Sequence, residues 1–307
     1  MHCLVTGGAG FIGSNLVDAL VARGDDVRVL DDLSSGHRDN LHSKAELIEA
    51  EVSDAAAVRS AVEGCELVFH QAAHRAVLRS VEAPLATDTA NVHGTLTVLD
   101  AAHQAGVRRV IYASSSSVYG GAAERPTPET AALVPRSPYA VTKLTGEHYC
   151  RVFSELHGLE TVALRYFNAF GPRQRPDSMY AAVIPLFIAA LRTGQRPLVH
   201  GDGKQSRDFT YISDVVAANL AAASAPAESA SGKAYNIACG DEHSLLELLE
   251  HLGQILGVDV EPEHAEPRAG DVRHSCADVA AAARDLGWSA TVAFRDGLDE
   301  TVAALTR

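Results

Sequence analysis

A doubly wound α/β fold on a parallel sheet is what this sequence predicts, and two patterns carry the prediction. Apolar runs of strand length alternate with stretches of helical apolar spacing through the first half of the chain. The first such run also ends directly in a glycine-rich turn that opens a helix. Cys3 to Thr6 is that first strand. Ile12, Leu16, Ala19 and Leu20 keep helical spacing until Gly24 stops the helix. Val27 to Leu30 is the second strand, and Leu47-Ile48, Leu67 to Phe69, Val110 to Ala113 and Thr161 to Tyr166 supply more. Helices are predicted over 54–63, 85–105 and 139–157. Strands this apolar are covered on both faces, which is the habit of parallel sheets.

The second half is less regular. Prolines at 172, 176, 185 and 197 break up the stretch after Tyr166. Short strands follow at 198–200, 207–211 and 234–237, with helices at 214–224 and 244–256. The Ala- and Ser-rich segment 222–232 reads as a surface loop, as does 260–271 with its two prolines and glycine. This half is expected to form a smaller α/β cap over the carboxyl edge of the sheet, where open α/β sheets bind ligands. The expected division is 1–167, with a return segment near 208–238, for the sheet domain, and 168–207 plus 239–307 for the cap.

Composition narrows the partners. The chain has 307 residues, 47% hydrophobic and 21% charged, with a net charge of -13. An acidic surface repels a phosphate backbone, so nucleic acid is not an expected partner. No apolar run approaches the ~20 residues of a membrane span. The glycine turn begins at Gly7, which leaves no signal-peptide pattern ahead of it. Five cysteines at 3, 65, 150, 239 and 276 form no Cys-x-x-Cys pair, as expected of reduced thiols in a cytoplasmic protein. His70 and His74 lie four apart without an evident third ligand, so no metal site is expected.

Thr6-Gly7-Gly8-Ala9-Gly10-Phe11-Ile12-Gly13 joins the first strand to the first helix. Gly7, Gly10 and Gly13 allow a tight turn, close approach of a pyrophosphate and close packing of helix on strand. The helix start then offers free N–H groups to the phosphates. Asp31 ends the second strand, 18 residues after Gly13. A carboxylate there accepts hydrogen bonds from ribose hydroxyls and repels a 2′-phosphate, which favours NAD over NADP. The expected cradle is thus Rossmann-type, with Phe11 and Ile12 in the turn and Asp32, Ser35 and Gly36 beyond Asp31.

Ser137-Pro138-Tyr139 is a helix start, with Ser as N-cap and Pro at the first helical position. Tyr139 and Lys143 then share a face at i and i+4. An ammonium beside a phenol lowers the phenol's pKa from ~10 towards working pH and makes it a usable acid and base. Ser114 to Ser117 place four hydroxyls directly after the strand that ends at Ala113.

These segments, with Ser-Ser-Ser-Ser-Val-Tyr-Gly (114–120), Pro-Tyr-Ala-Val-Thr-Lys (138–143), Arg-Tyr-Phe-Asn (165–168), Gly-Pro-Arg-Gln (171–174), Arg-Asp-Phe-Thr-Tyr (207–211) and Arg-Ala-Gly-Asp (268–271), resemble the extended short-chain dehydrogenase/reductase family. The likeness runs nearly end to end and is to its NAD-dependent sugar-nucleotide epimerase/dehydratase branch. It implies that Ser115, Tyr139 and Lys143 form the catalytic triad. It implies that Asn91 and the loop with Ala72, Ala73 and Arg75 line the cofactor, that Asn168, Arg207 and Arg268 meet the sugar diphosphate, and that Ser116, Ser117 and Val183 also contact the substrate. Asp271 would bind the uridine ribose, and Ser275 would flank the sugar's carbon 2 side. Relatives carry Asp near the adenine where this chain has Glu51-Val52, so Glu51 is expected to make that contact by a longer reach. Helices 85–105 and 139–157 form a dimer bundle in relatives, which implies a homodimer here.

Within the branch, dehydratases carry Asp-Glu after the triad serine, an acid and a base for removing water. This chain has Ser116 and Ser117. The expected reaction is therefore a UDP-hexose 4-epimerisation, with a nucleotide-sugar reductase or an NAD-sensing regulator as alternatives. The sugar stays open at this point. Small Ser275 leaves room for an N-acetyl group, whereas Arg175 resembles the residue that meets the carboxylate of UDP-glucuronate in its 4-epimerases.

Overall fold

The structure is a computed structural model and describes residues 1–75, 77–121, 124–176, 181–267 and 272–305. It begins with β1 (His2–Thr6), α1 (Phe11–Ala22), β2 (Asp26–Asp31), β3 (Glu46–Glu49), α2 (Ala55–Val62) and β4 (Leu67–His70). Then come α3 (Val77–Glu82), α4 (Pro84–Asp88), a π turn at Thr89–His93, α5 (Gly94–Gln104), β5 (Arg109–Ser115) and a 3₁₀ turn at Ser116–Tyr119. Next are α6 (Pro138–His157), β6 (Glu160–Tyr166), β7 (Ala169–Phe170), α7 (Val183–Arg192), β8 (Leu198–His200), β9 (Ser206–Arg207) and β10 (Thr210–Tyr211). The chain closes with α8 (Ile212–Ser224), α9 (Ala227–Ala230), β11 (Lys233–Ile237), β12 (His243–Ser244), α10 (Leu245–Leu256), β13 (Glu263–Ala265), α11 (Ala280–Leu286) and α12 (Phe294–Leu305).

The seven-stranded sheet runs β11-β6-β5-β4-β1-β2-β3, every pair parallel. Side chains alternate across it. Val5, Val29, Phe69 and Ile111 pack with Leu16 and Leu20 of α1 and Val215 of α8 on one face. Leu4, Leu30, Val68 and Val110 pack with Val58 of α2, Leu99 of α5 and Phe153 of α6 on the other. Each such side chain contributes roughly 1.5–3 kcal/mol by leaving water, which is why these strands read as nearly unbroken apolar runs. The α6 start is set locally: Ser137 accepts from the Ala140 N–H at 3.1 Å, Pro138 follows it, and Gly158 ends the helix in the left-handed region.

The doubly wound parallel sheet is thus as expected, and four details differ. The helix expected over 85–105 is α4 and α5 joined through the π turn, with α3 added ahead of it. The strand expected over 207–211 is split into β9 and β10. Between them Asp208 turns inward and accepts backbone N–H groups from Cys239, Gly240 and Ala277 at 2.8, 3.0 and 3.2 Å. The segment 222–232 is no plain surface loop: small side chains let α9 pack closely, burying Ala225 and Ala230. Within 260–271, β13 pairs in parallel with β8.

Candidate active site

Strand order reverses at β1, with β2 and β3 on one side and β4, β5 and β6 on the other. Such a reversal opens a crevice at the carboxyl ends of the strands. The crevice is walled by Gly7, Gly10, Phe11, Ile12 and Gly13 after β1, Asp31, Asp32 and Ser35 after β2, and Val52 after β3. Ala72, Ala73 and Arg75 follow β4, Ser115 ends β5, and Tyr139 and Lys143 come from α6.

The glycine turn needs its glycines. Gly7 has φ +70, and a Cβ on Gly13 would stand 2.1 Å from the Gly7 carbonyl oxygen. The turn is tied to β2 by Asp31, whose Oδ2 accepts from the Ala9 N–H at 2.9 Å and whose Oδ1 accepts from Leu33 at 2.8 Å. Burial pushes the Asp31 carboxyl up, and those two backbone bonds oppose it. Arg28 and Arg38 are occupied by Glu46 and Glu49.

Three expected cofactor contacts are placed differently. Glu51 is exposed and accepts from Ser53 Oγ at 2.9 Å, off the crevice wall, which leaves Val52 to line it. Asn91 lies beneath the wall. Its Oδ1 accepts from the His74 N–H at 2.8 Å, and its Nδ2 donates to His74 O at 3.2 Å and Thr142 Oγ1 at 3.0 Å. It fastens the loop after β4 to α6. Gly36 is off the wall as well, pressed against Ala9 and Asp31 so closely that a Cβ would meet Ala9 Cβ at 2.7 Å.

At the far end of the crevice, Ser115 stands beside Tyr139 and accepts from the Ser117 N–H at 3.2 Å. Lys143 is buried, and its Nζ donates to the Ala113 carbonyl at 2.6 Å. That ammonium is 6.0 Å from the Tyr139 ring centre, and its hydrogen bond is to the backbone of β5. Burial pushes the Tyr139 phenol up, opposed by the Ser115 hydroxyl and by the nearby Arg75 guanidinium. Burial also lowers Lys143, to about 8, with Cys150 and Glu147 pulling the other way.

A second cavity of about 740 Å³ adjoins the crevice, a size that ligands fill. Asn168, Val183 and Arg207 line it, and Gln174 and Ala169 line both spaces. Asn168 is held by Nδ2 donating to Asp208 O at 3.0 Å. Ser116 and Ser117 sit on the 3₁₀ turn, off both walls, and Ser117 Oγ is buried without a hydrogen-bond partner among the described residues. Ser275 is half-buried and outside both walls, its carbonyl accepting from the Asp208 N–H at 2.8 Å. Arg175 is exposed and donates to the His37 ring at 3.0 Å instead of entering either cavity. Arg268 and Asp271 lie outside the described residues.

Sequence reasoning missed Gln71, Tyr166 and Gln174 on the walls. Tyr166 ends β6, and the rule that strand ends face ligand could have found it. Gln71 donates to the Tyr166 hydroxyl at 3.2 Å and to Asn219 at 3.0 Å.

The sequence matches the model of the NAD dependent epimerase/dehydratase family over residues 3–238. It is 41% identical over 309 residues to a UDP-glucose 4-epimerase of Mycolicibacterium smegmatis, spanning 98% of this chain and 97% of that one. A UDP-glucose 4-epimerase of Thermotoga maritima, solved with UDP-glucose, superposes with a TM-score of 0.96 at 37% identity, covering 100% of this chain and 99% of that one. A UDP-N-acetylglucosamine 4-epimerase of Methanobrevibacter ruminantium, solved with UDP-N-acetylmuramic acid, gives 0.94 at 38% identity over 99% and 98%.

Proposed function

The chain belongs to the NAD dependent epimerase/dehydratase family, and on that premise we propose the reaction of its site: the protein is a UDP-hexose 4-epimerase that inverts carbon 4 through a 4-keto sugar, with NAD as cofactor. The observation that carries this reading is the meeting of Ser115, Tyr139 and Lys143 in the crevice that also holds the glycine turn.

The cradle fits NAD. The Gly7 to Gly13 turn would hold the pyrophosphate on the N–H groups that open α1. Asp31, with Asp32 and Ser35, would meet the adenosine ribose, since its oxygens keep lone pairs beyond their two backbone bonds. The pairing of Arg28 and Arg38 with glutamates supports NAD over a 2′-phosphorylated cofactor. NAD supplies the acceptor and donor for the hydride of carbon 4. Tyr139 takes the proton of the 4-hydroxyl and returns it from either face of the sugar, steadied as phenolate by Ser115 and by Arg75. Arg207 and Asn168 would hold the diphosphate while the hexose turns. The two positions after Ser115, which carry Asp-Glu in dehydratases, are Ser116 and Ser117 here, which supports epimerisation.

The pair we propose is UDP-glucose and UDP-galactose. Arg175 engaged with His37, off both walls, speaks against a uronate. Residues 1–167 with 208–238 are proposed as the NAD part and 168–207 with 239–307 as the UDP-sugar part. A homodimer is proposed, supported by Leu85 on α4 and Leu156 on α6, which are 82% and 73% exposed. Among the described residues no helix is long and apolar enough to cross a membrane. The five free thiols support a cytoplasmic, reducing setting.

The test is a panel of UDP-sugars given to the purified protein without added cofactor. New C4 epimers are expected. Net consumption of NADPH would replace this reading with a reductase, and a 4-keto-6-deoxy product with a dehydratase.

A further inference from the structure

Behind the catalytic end of β5 lies a buried polar row that the reaction above does not use. Ser114 of β5, Arg165 of β6 and Asn236 of β11 are in register across the sheet. Glu147 of α6 closes over the row. One of its oxygens accepts the Ser114 hydroxyl and Arg165 Nε, the latter at 2.9 Å, and the other accepts Arg165 Nη2 at 2.8 Å. Arg165 Nη1 continues to the Tyr119 hydroxyl at 2.7 Å, which donates to Asn236 Oδ1 at 2.7 Å. The Glu147 and Arg165 side chains are only 7% and 5% exposed.

Desolvation offsets most of what a buried ion pair gains, so stability alone is a weak reason for one here. Two members of the row instead adjoin the triad, and a third ends the turn that follows it. Ser114 precedes Ser115. Tyr119 ends the turn that bears Ser116 and Ser117. Glu147 stands one helical turn beyond Lys143, whose Nζ holds the Ala113 carbonyl. Successive turns of α6 therefore grip Ala113 and Ser114, and the next residue is the serine that meets Tyr139.

We propose that Glu147 is a positioning residue for the proton transfer: through Ser114 and Arg165 it locks the end of β5 to α6, one helical turn beyond Lys143. The inference rests on the reading of Ser115, Tyr139 and Lys143 given above. The groups facing Lys143 are Tyr139, Glu147 and Cys150 on its own helix, Tyr112 from β5, its ring centre 5.0 Å away, and His70 from β4. Burial pushes the Cys150 thiol and the Tyr112 phenol far up and His70 down to about 3, so all three are neutral at working pH. Glu147 is then the anion that faces Lys143. Removing it takes away a raising influence, and Lys143 then loses its proton at lower pH.

The experiment measures kcat and KM against pH for wild type, Glu147→Gln and Glu147→Asp, with bound NAD and melting temperature alongside. Glu147→Gln should move the alkaline limb of kcat to lower pH by roughly one unit, a nearby charge's effect, and so lose about 10-fold at a pH on that limb. Its KM and NAD content should stay near wild type, and Glu147→Asp should keep the wild-type limb. If Glu147→Gln strands Arg165 and does not fold, the pair Glu147→Gln with Arg165→Met leaves no lone buried charge and should show the same shift. An unmoved limb in a folded variant lacking the carboxylate overturns the proposal, even if melting temperature falls. Failure of both variants to fold assigns the pair to stability and also overturns it. A wild-type enzyme that turns over no UDP-sugar would instead overturn the reading beneath it.

Discussion

The dinucleotide crevice and the UDP-sugar cavity share Ala169 and Gln174 as a wall, yet they are built in opposite ways. The crevice is made of strand ends. Its residues come from six parallel strands whose register fixes where each carboxyl end falls, so Asp31, Ala72 and Ser115 meet although whole βα units separate them. The cavity is made of strands two and three residues long, one face of α7 and connecting loops. Its geometry depends on single side-chain ties, chiefly Asp208, which gathers the backbone of Cys239, Gly240 and Ala277 while its own carbonyl holds Asn168. The sheet half therefore depends on backbone shape, and the cap half on individual polar groups.

That contrast can be broken or sharpened by four substitutions. Gly13→Ala puts a methyl group 2.1 Å from a backbone carbonyl that cannot swing away, so it should abolish both bound NAD and turnover. Cofactor content measured after denaturation checks this, and full NAD occupancy would break the account of the crevice. Tyr139→Phe should fold, keep its NAD and lose at least ~100-fold in kcat, the scale of a positioned acid and base. Arg207→Ala belongs to the cap. It should weaken UDP-glucose by roughly 10- to 150-fold in kcat/KM, the rate equivalent of about 1.5–3 kcal/mol for a charge-assisted bond, and leave NAD untouched. Loss of NAD in that variant would dissolve the distinction between the halves. Arg175→Ala removes an exposed cation and should change kcat/KM for UDP-glucose by less than about 5-fold, the effect of a surface pair. A larger loss, or wild-type activity on UDP-glucuronate, would return Arg175 to the sugar site.

The same contrast explains what the sequence made legible. Strand runs, the glycine turn, Asp31, and the i, i+4 pair of Tyr139 and Lys143 follow local periods, and the fold places them on one crevice. Asn91 was legible as a residue of the region but not as the tie between His74 and Thr142, because a π turn shifts which way it faces. Lys143 was legible as the partner of Tyr139 on α6, but not the hydrogen bond of its ammonium to the Ala113 carbonyl. Arg175 and Ser275 follow loops, where spacing carries no direction, and the first reaches His37 while the second gives its carbonyl to Asp208. Gln174 on the shared wall and the Glu147–Arg165 pair depend on contacts between distant segments that no period announces.

The central claim is that hydrogen leaves carbon 4 of a UDP-hexose and comes back to the same carbon from the other side. UDP-glucose deuterated at carbon 4, incubated with the purified protein and no added cofactor, tests it most directly by NMR of the products. The account predicts UDP-galactose that keeps its deuterium at carbon 4, with no net oxidation or reduction. Washout of the label into water, its transfer to another carbon, or the absence of UDP-galactose would contradict it.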